Sequence, residues 1–132
     1  IYNTVDGTYA ITASTNDTFT FSVDGGSSTS ITLTAGAART ATSIAADLNG
    51  NATFAAAATA AVVNGGLVII ADNANSKIKI ESSTSLATLG FEAGQSNFAD
   101  KNTVNSGGAY TTELGTNKDV FSFSSIRNGA SD

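Results

Sequence analysis

The run Thr18-Phe19-Thr20-Phe21-Ser22-Val23-Asp24-Gly25-Gly26-Ser27, followed by Ser30-Ile31-Thr32-Leu33-Thr34, decides how the rest of the chain is read. From Thr18 to Val23 polar and apolar residues alternate without a break, and a strand sends successive side chains to opposite faces. Phe19, Phe21 and Val23 therefore share one face, which is the buried one. Asp24-Gly25-Gly26-Ser27 offers the positive backbone angles that a tight turn needs, and alternation resumes at Ile31 and Leu33. The two runs make an antiparallel hairpin.

After this hairpin the period changes. Ala41, Ile44, Ala45 and Leu48 recur at three- and four-residue spacing, which predicts one short helix over residues 40–49. Thr40, Thr42 or Ser43 can cap its start, and Asn49-Gly50 can stop it. Such a helix is marginal alone and must lie on a sheet. Residues 57–63, the turn Asn64-Gly65-Gly66 and residues 67–70 read as a second hairpin. Lys77-Ile78-Lys79-Ile80-Glu81 reads as a further strand with its charges outward, and residues 86–91 as a short apolar closing segment. Upstream, residues 2–11 alternate loosely around the turn pair Asp6-Gly7. Residues 92–116 lose periodicity, apart from a short strand near 109–112. Residues 120–124 alternate again and are expected to pair with the N-terminal strands. The expected fold class is α+β, mostly β: an antiparallel sheet of hairpins with one short helix packed on it.

Composition narrows the chemistry. The chain has 132 residues, one domain's worth, and 41% are hydrophobic, so it can build a core and is not of the disordered class. Much of that fraction is Ala, which predicts a thin, finely packed interior. Only 13% of residues are charged, and Ser, Thr, Asn and Gly fill the surface, a balance typical of proteins outside the cell. The net charge is −5, and Arg39, Lys77, Lys79, Lys101, Lys118 and Arg127 are scattered, so neither nucleic acid nor an anionic membrane is an expected partner. No apolar run approaches the length of a membrane-spanning helix. Cys, His, Met, Trp and Pro are all missing, which removes disulfides, thiol nucleophiles, imidazole bases and the usual zinc ligands. Lacking Met, the chain is read as a piece of something larger: residues 1–132 as one surface domain, with a loop-rich part at 92–132.

Four quoted pieces stand in a particular order. They are Phe21-Ser22-Val23-Asp24-Gly25, Ile44-Ala45-Ala46-Asp47-Leu48-Asn49, Gly65-Gly66-Leu67-Val68-Ile69 and Ala87-Thr88-Leu89-Gly90-Phe91. This set, over about residues 18–91, resembles the repeat motif of bacterial flagellins and flagellar hook-associated proteins. The resemblance implies an outer domain inserted between helical arms that build a filament. It further implies a secreted, extracellular location and partners that are other copies of the parent filament protein. The expected function is structural, as the exposed variable domain of a filament subunit serving motility, most closely flagellin.

The candidates for chemistry carry less. Asp17 with Asp24, and Glu113 with Asp119, could serve as paired carboxylates of the glycosidase kind, but each sits beside a turn, where Asp commonly binds local backbone N–H groups. No G-x-S-x-G elbow or S-x-x-K is present, so an enzyme is not expected and no catalytic, cofactor-binding or metal residue is assigned. Asp72-Asn73-Ala74-Asn75-Ser76 offers alternate oxygens for calcium yet lacks the Gly and distal Glu of an EF-hand, so a solvated turn is favoured. Gly65-Gly66 and Gly107-Gly108 precede strands, which is the wrong context for a phosphate loop. Asn16-Asp17-Thr18 and Asn51-Ala52-Thr53 match the N-glycosylation triplet by chance in so Asn- and Thr-rich a chain. The Ala-rich residues 54–63 read as an inward-facing strand whose small side chains let the helix approach. The alternative function is an adhesin or carbohydrate-binding module that uses Tyr2, Tyr9 and Tyr110 as exposed aromatics toward surface glycans.

Overall fold

A computed structural model of the chain describes residues 1–98, 103–104 and 110–111. Two compact units are present, Ile1–Phe98 and Ala99–Asp132. In the first, strand β1 (Thr8–Ile11) is followed by β2 (Thr18–Val23), β3 (Thr29–Thr32) and β4 (Gly36–Thr40). Helices α1 (Ala41–Asn49) and α2 (Ala52–Ala55) come next, then β5 (Ala58–Val63), β6 (Gly66–Ala71), β7 (Ile78–Glu81) and helix α3 (Leu86–Leu89). The second unit is described through one antiparallel pair, β8 (Thr103–Val104) with β9 (Tyr110–Thr111); the short strand expected near 109–112 is β9, and its partner β8 lies in what the sequence reads as loop. Residues 120–124, expected to return as a strand, lie outside the described residues.

The class is α+β and mostly β, with every strand pair antiparallel. The strands do not form one continuous sheet. Within the first unit, β3-β2-β7 is a three-stranded sheet, and β1-β4 and β5-β6 are separate ribbons. Strand β2 is central. Phe19 stands opposite Ile31 on one side, and Phe21 opposite Ile80 on the other, so the alternation read from the sequence becomes a continuous apolar face.

That face is closed by α1, by the β5-β6 ribbon and by β1. Helix α1 presents Ala41, Ile44, Ala45 and Leu48 to the core, and the Thr40 side chain accepts from Ser43 N–H as its cap. The small residues Ala58 and Ala60 of β5 are buried where α1 packs on that strand. Phe21 meets Phe54 edge to face at 5.3 Å, and Phe19 meets Phe91 likewise at 5.9 Å. Such pairs contribute about 0.5–1.5 kcal/mol each beyond their buried area. Every strand-face and helix-face residue expected in the core is buried except Val23, which is half-buried against it.

Two expectations are corrected here. The helix over 41–49 is not alone, because α2 and α3 each add a single turn. Asn51 starts α2 by accepting from Phe54 N–H at 3.0 Å, and the Ala around Phe54 favour helix intrinsically. Residues 54–57 are therefore not part of the inward strand, which begins at Ala58. Gly50 ends α1 where the sequence places the stop, with φ −76°, and the chain passes directly into the cap of α2.

Two turns set the ribbon and its neighbours. Asn64 and Gly65 have φ of 52° and 85°, the positive pair that a two-residue hairpin of type I′ requires. Gly90 ends α3 at φ 87°, and the start of the chain runs against it, with Thr4 N donating to Gly90 O at 2.8 Å. Residues 1–3 also lie beside β6: Ile69 N donates to Ile1 O at 2.8 Å, Asn3 N donates to Leu67 O at 3.1 Å, and Tyr2 stands opposite Val68. Asn3 ties this corner together. Its amide nitrogen donates to Val5 O and Leu89 O, both at 2.7 Å, and its oxygen accepts from Leu67 N at 2.9 Å.

Candidate functional surface

The alternation that buries Phe19 and Phe21 exports hydroxyls to the other side of the same sheet. Thr18, Thr20 and Ser22 of β2 lie on that face, across from Thr32 and Ser30 of β3 and from Glu81 and Lys79 of β7. Neighbours satisfy one another: Thr20 Oγ1 bonds Ser30 Oγ at 2.8 Å, and Thr18 Oγ1 bonds Thr84 Oγ1 at 2.7 Å. Ser22 Oγ donates to Glu81 Oε1 at 2.7 Å, and Lys79 Nζ stands 3.5 Å from the other carboxylate oxygen. The Ser22 hydrogen bond, aided by the Lys79 charge, holds the Glu81 carboxyl below its ordinary range. A carboxylate stabilised as the anion is a weak base, so this pair is poorly suited to activating a serine nucleophile.

Two other exterior features belong to the first unit. On the β5-β6 ribbon, Val63 and Ile70 are about half exposed, as is Tyr2 beside them. A shallow open cleft of about 520 Å³ lies between the first residues and α3. Its lining includes Thr4, Val5, Leu86, Ala87 and Phe91, with Glu92 as its one charged side chain.

The residues singled out from the sequence are dispersed. Asp17 and Asp24 flank opposite ends of β2, on the order of 20 Å apart at the usual rise of a strand. Asp17 accepts from Ser14 N at 2.8 Å, the local turn chemistry expected of it, whereas Asp24 accepts from Lys77 N at 2.7 Å, a long-range bond to the start of β7 and not to its own turn. Glu113, Asp119 and Gly107-Gly108 lie outside the described residues. In the 72–76 loop, Asn73 Oδ1 accepts from Asn75 N within the loop at 2.8 Å, while Asp72 accepts from Thr59 Oγ1 of β5 at 2.8 Å and ties the loop to the ribbon. Among the described residues, no three His, Cys, Asp or Glu gather as metal ligands would.

Both triplet asparagines are structural. Asn16 donates to Ala10 O and Thr88 Oγ1, both at 2.9 Å, and Asn51 caps α2. The tyrosine platform needs correction. Tyr9 is 1% exposed, with its hydroxyl donating to Val5 O at 2.7 Å and accepting from Asn3 Nδ2 at 3.1 Å. It alternates inward with Ile11 along β1, so it cannot join Tyr2 on an aromatic surface. Tyr110 lies in β9, in the second unit.

Sequence reading missed the polar lock around Arg39, treated there only as one scattered charge. Arg39 reaches Thr34 O at 2.6 Å, Ser43 Oγ at 3.0 Å and Asp47 Oδ2 at 3.1 Å, while Asp47 accepts from Thr34 N at 2.8 Å. The 39–43–47 spacing along a helix and its entry was the available signal, since i, i+4 residues share a face. Asn49 was also missed. Its side-chain amide donates to Ala60 O at 2.9 Å and accepts from Ala60 N at 2.8 Å, on the side of β5 away from β6. Among the described residues no helix is long and apolar enough to cross a membrane. No protein-family model, curated protein or solved structure matches the chain.

Proposed function

We propose that this chain is a structural, non-catalytic surface module: the exposed outer domain of a bacterial flagellar filament subunit, most closely flagellin, secreted and displayed on the filament exterior. The observation that carries the reading is the duty of the four quoted sequence pieces. Each sits at a joint of the first unit. Asp24 ties the end of β2 to β7 through Lys77, and Leu48-Asn49 packs and braces α1 against β5. Asn64-Gly65 turns the β5-β6 ribbon, and Leu89-Gly90-Phe91 closes the core against β2 and the first residues. A motif made of scaffold joints suits a protein whose task is shape and display. The outward faces fit that task, because they carry mutually bonded hydroxyls and isolated apolar side chains instead of convergent reactive groups.

The mechanism is steric. The domain would stand on a polymer, make modest contacts with neighbouring copies and tolerate change on its outer faces while the joints stay fixed. Reading the parent gene on both sides of this segment tests it. Long flanking helices with apolar heptads, upstream and downstream, support a polymerising subunit. Tandem β repeats or a cell-wall anchor there would sink the flagellar reading.

A further inference from the structure

Two Asn-Gly pairs lie among the described residues, and the fold treats them in opposite ways. An asparagine loses its side-chain amide when the next backbone nitrogen reaches its Cγ, and glycine at the next position leaves that nitrogen uncrowded. At Asn49-Gly50 both partners are engaged. The Asn49 amide makes both of its bonds to Ala60, and Gly50 N donates to Ala46 O at 2.9 Å. At Asn64-Gly65 neither is engaged. The Asn64 side chain is exposed and makes no hydrogen bond among the described residues, and the same holds for the Gly65 N–H. Nothing stands within 4 Å of the place where a Gly65 Cβ would be.

We propose that Asn64 is a site of spontaneous covalent modification, with water as the only co-reactant. The Gly65 nitrogen gives its proton to solvent base and bonds to Asn64 Cγ, closing a succinimide. The Cγ–NH2 bond breaks, and the amide leaves as ammonia with a proton from solvent. Water then opens the ring. Attack at the side-chain carbonyl gives aspartate, and attack at the backbone carbonyl gives isoaspartate; nothing is oxidised or reduced. The isoaspartate product adds a methylene to the backbone of a two-residue turn whose flanks are paired Val63 to Gly66. Little slack exists to absorb it, because Gly7 N reaches Gly65 O at 3.4 Å and Asp6 and Asn3 oxygens crowd Gly66. Either product also adds a negative charge to a turn that the Asp6 carboxylate already borders. The chain thus carries an irreversible record of its age at one exposed hairpin.

The test is peptide mass mapping of the whole chain, incubated folded in mildly alkaline buffer and sampled over time, with a parallel incubation in denaturant. In the folded protein the Asn64 peptide gains the mass of amide-to-acid conversion at least about tenfold faster than the Asn49 peptide. An opening cost of about 1.4 kcal/mol at Asn49 already supplies that factor. In denaturant the two rates converge. The variant Asn64→Gly, which keeps a residue tolerant of positive φ, loses the mass gain in that peptide and keeps the folded circular-dichroism spectrum. The proposal is overturned if folded Asn64 stays intact while the denatured chain converts, or if Asn49 reacts as fast as Asn64 in the folded state. A rate difference that persists unchanged in denaturant overturns it as well, since the protection would then not come from the fold.

Discussion

Gly90 and Gly65 provide a controlled pair of substitutions. Their backbone angles are nearly equal, φ 87° and 85°, yet their surroundings differ completely. A Cβ on Gly65 meets nothing within 4 Å, whereas a Cβ on Gly90 would lie 2.6 Å from Val5 N, 2.9 Å from Thr4 N and 2.9 Å from Val5 Cβ. Forcing an alanine into the left-handed region costs about 1–2 kcal/mol. Stiffening of the unfolded chain returns about 0.4–1 kcal/mol of that. Gly65→Ala should therefore destabilise by no more than about 1.6 kcal/mol. Gly90→Ala carries the same angular cost and must also push backbone aside by roughly 1 Å to reach ordinary contact distance. Overpacking of that kind costs about 1–3 kcal/mol, and losing the Thr4-to-Gly90 hydrogen bond adds about 1 kcal/mol. The expected total is about 3–4 kcal/mol. Urea unfolding followed by circular dichroism reads this directly. With a slope of about 2 kcal/mol per molar, the Gly90→Ala midpoint falls by about 1.5–2 M and that of Gly65→Ala by about 0.8 M or less. Equal shifts for the two variants would refute the close approach of residues 4–5 to α3.

Phe21→Asp should abolish the cooperative thermal transition by burying an unpaired charge, and Phe21→Ala should cost about 3–5 kcal/mol; an unchanged melting temperature in either would mean the buried face of β2 is misassigned. Glu81 titrates below its ordinary range when folded, so its stabilising contribution is complete above the ordinary carboxylate pKa and is lost as pH falls through the folded value. Ser22→Ala should therefore cost about 1 kcal/mol at neutral pH, and the deficit should shrink in acid; a pH-independent deficit would assign Ser22 to packing alone. Ser85 is wholly buried with no partner for its hydroxyl among the described residues, so Ser85→Ala should be neutral or stabilise by up to about 1 kcal/mol, checked by chemical denaturation. Asn49→Ala should cost about 1–2 kcal/mol and raise hydrogen exchange at the Ala60 amide; unchanged exchange there would show that its bond to Asn49 protects nothing.

The parts of the fold legible in the sequence are those with a strict period. The alternation through Phe19 and Phe21, the helical spacing of Ile44 and Leu48, and the glycine turns all fell where their periods said. What escaped reading has no period. Strand β4, Gly-Ala-Ala-Arg-Thr, is short and weakly apolar, and it exists because β1 lies beside it and Arg39 reaches Ser43 and Asp47. Phe54 stood in a run of alanines with no period to mark where helix gives way to strand, and the Asn51 cap fixes the helical part. Tyr9 looked like a surface aromatic because its hydroxyl is polar. Its two partners, Val5 and Asn3, come from the irregular residues before β1, where no pattern announces them. The exterior was legible only as composition: a Ser/Thr-rich surface was evident, but its pairing into bonded hydroxyls required the register of β2 against β3 and the position of Thr84.

The brace that Asn49 applies to Ala60 has a consequence for crowding. An open strand edge is a template on which another chain can build, and packing many identical copies together multiplies that hazard. In the β5-β6 ribbon, one edge carries the Asn49 amide, which imitates a neighbouring strand's N–H and C=O, and the other carries residues 1–3. The outer edge of β7 is likewise filled, with Gly94 N donating to Ile80 O at 2.7 Å and Ile80 N to Gln95 O at 2.8 Å. At Ala60, along β6 and at Ile80, a further chain could add a strand only by displacing contacts the fold already makes, which guards those stretches of edge against being used as templates.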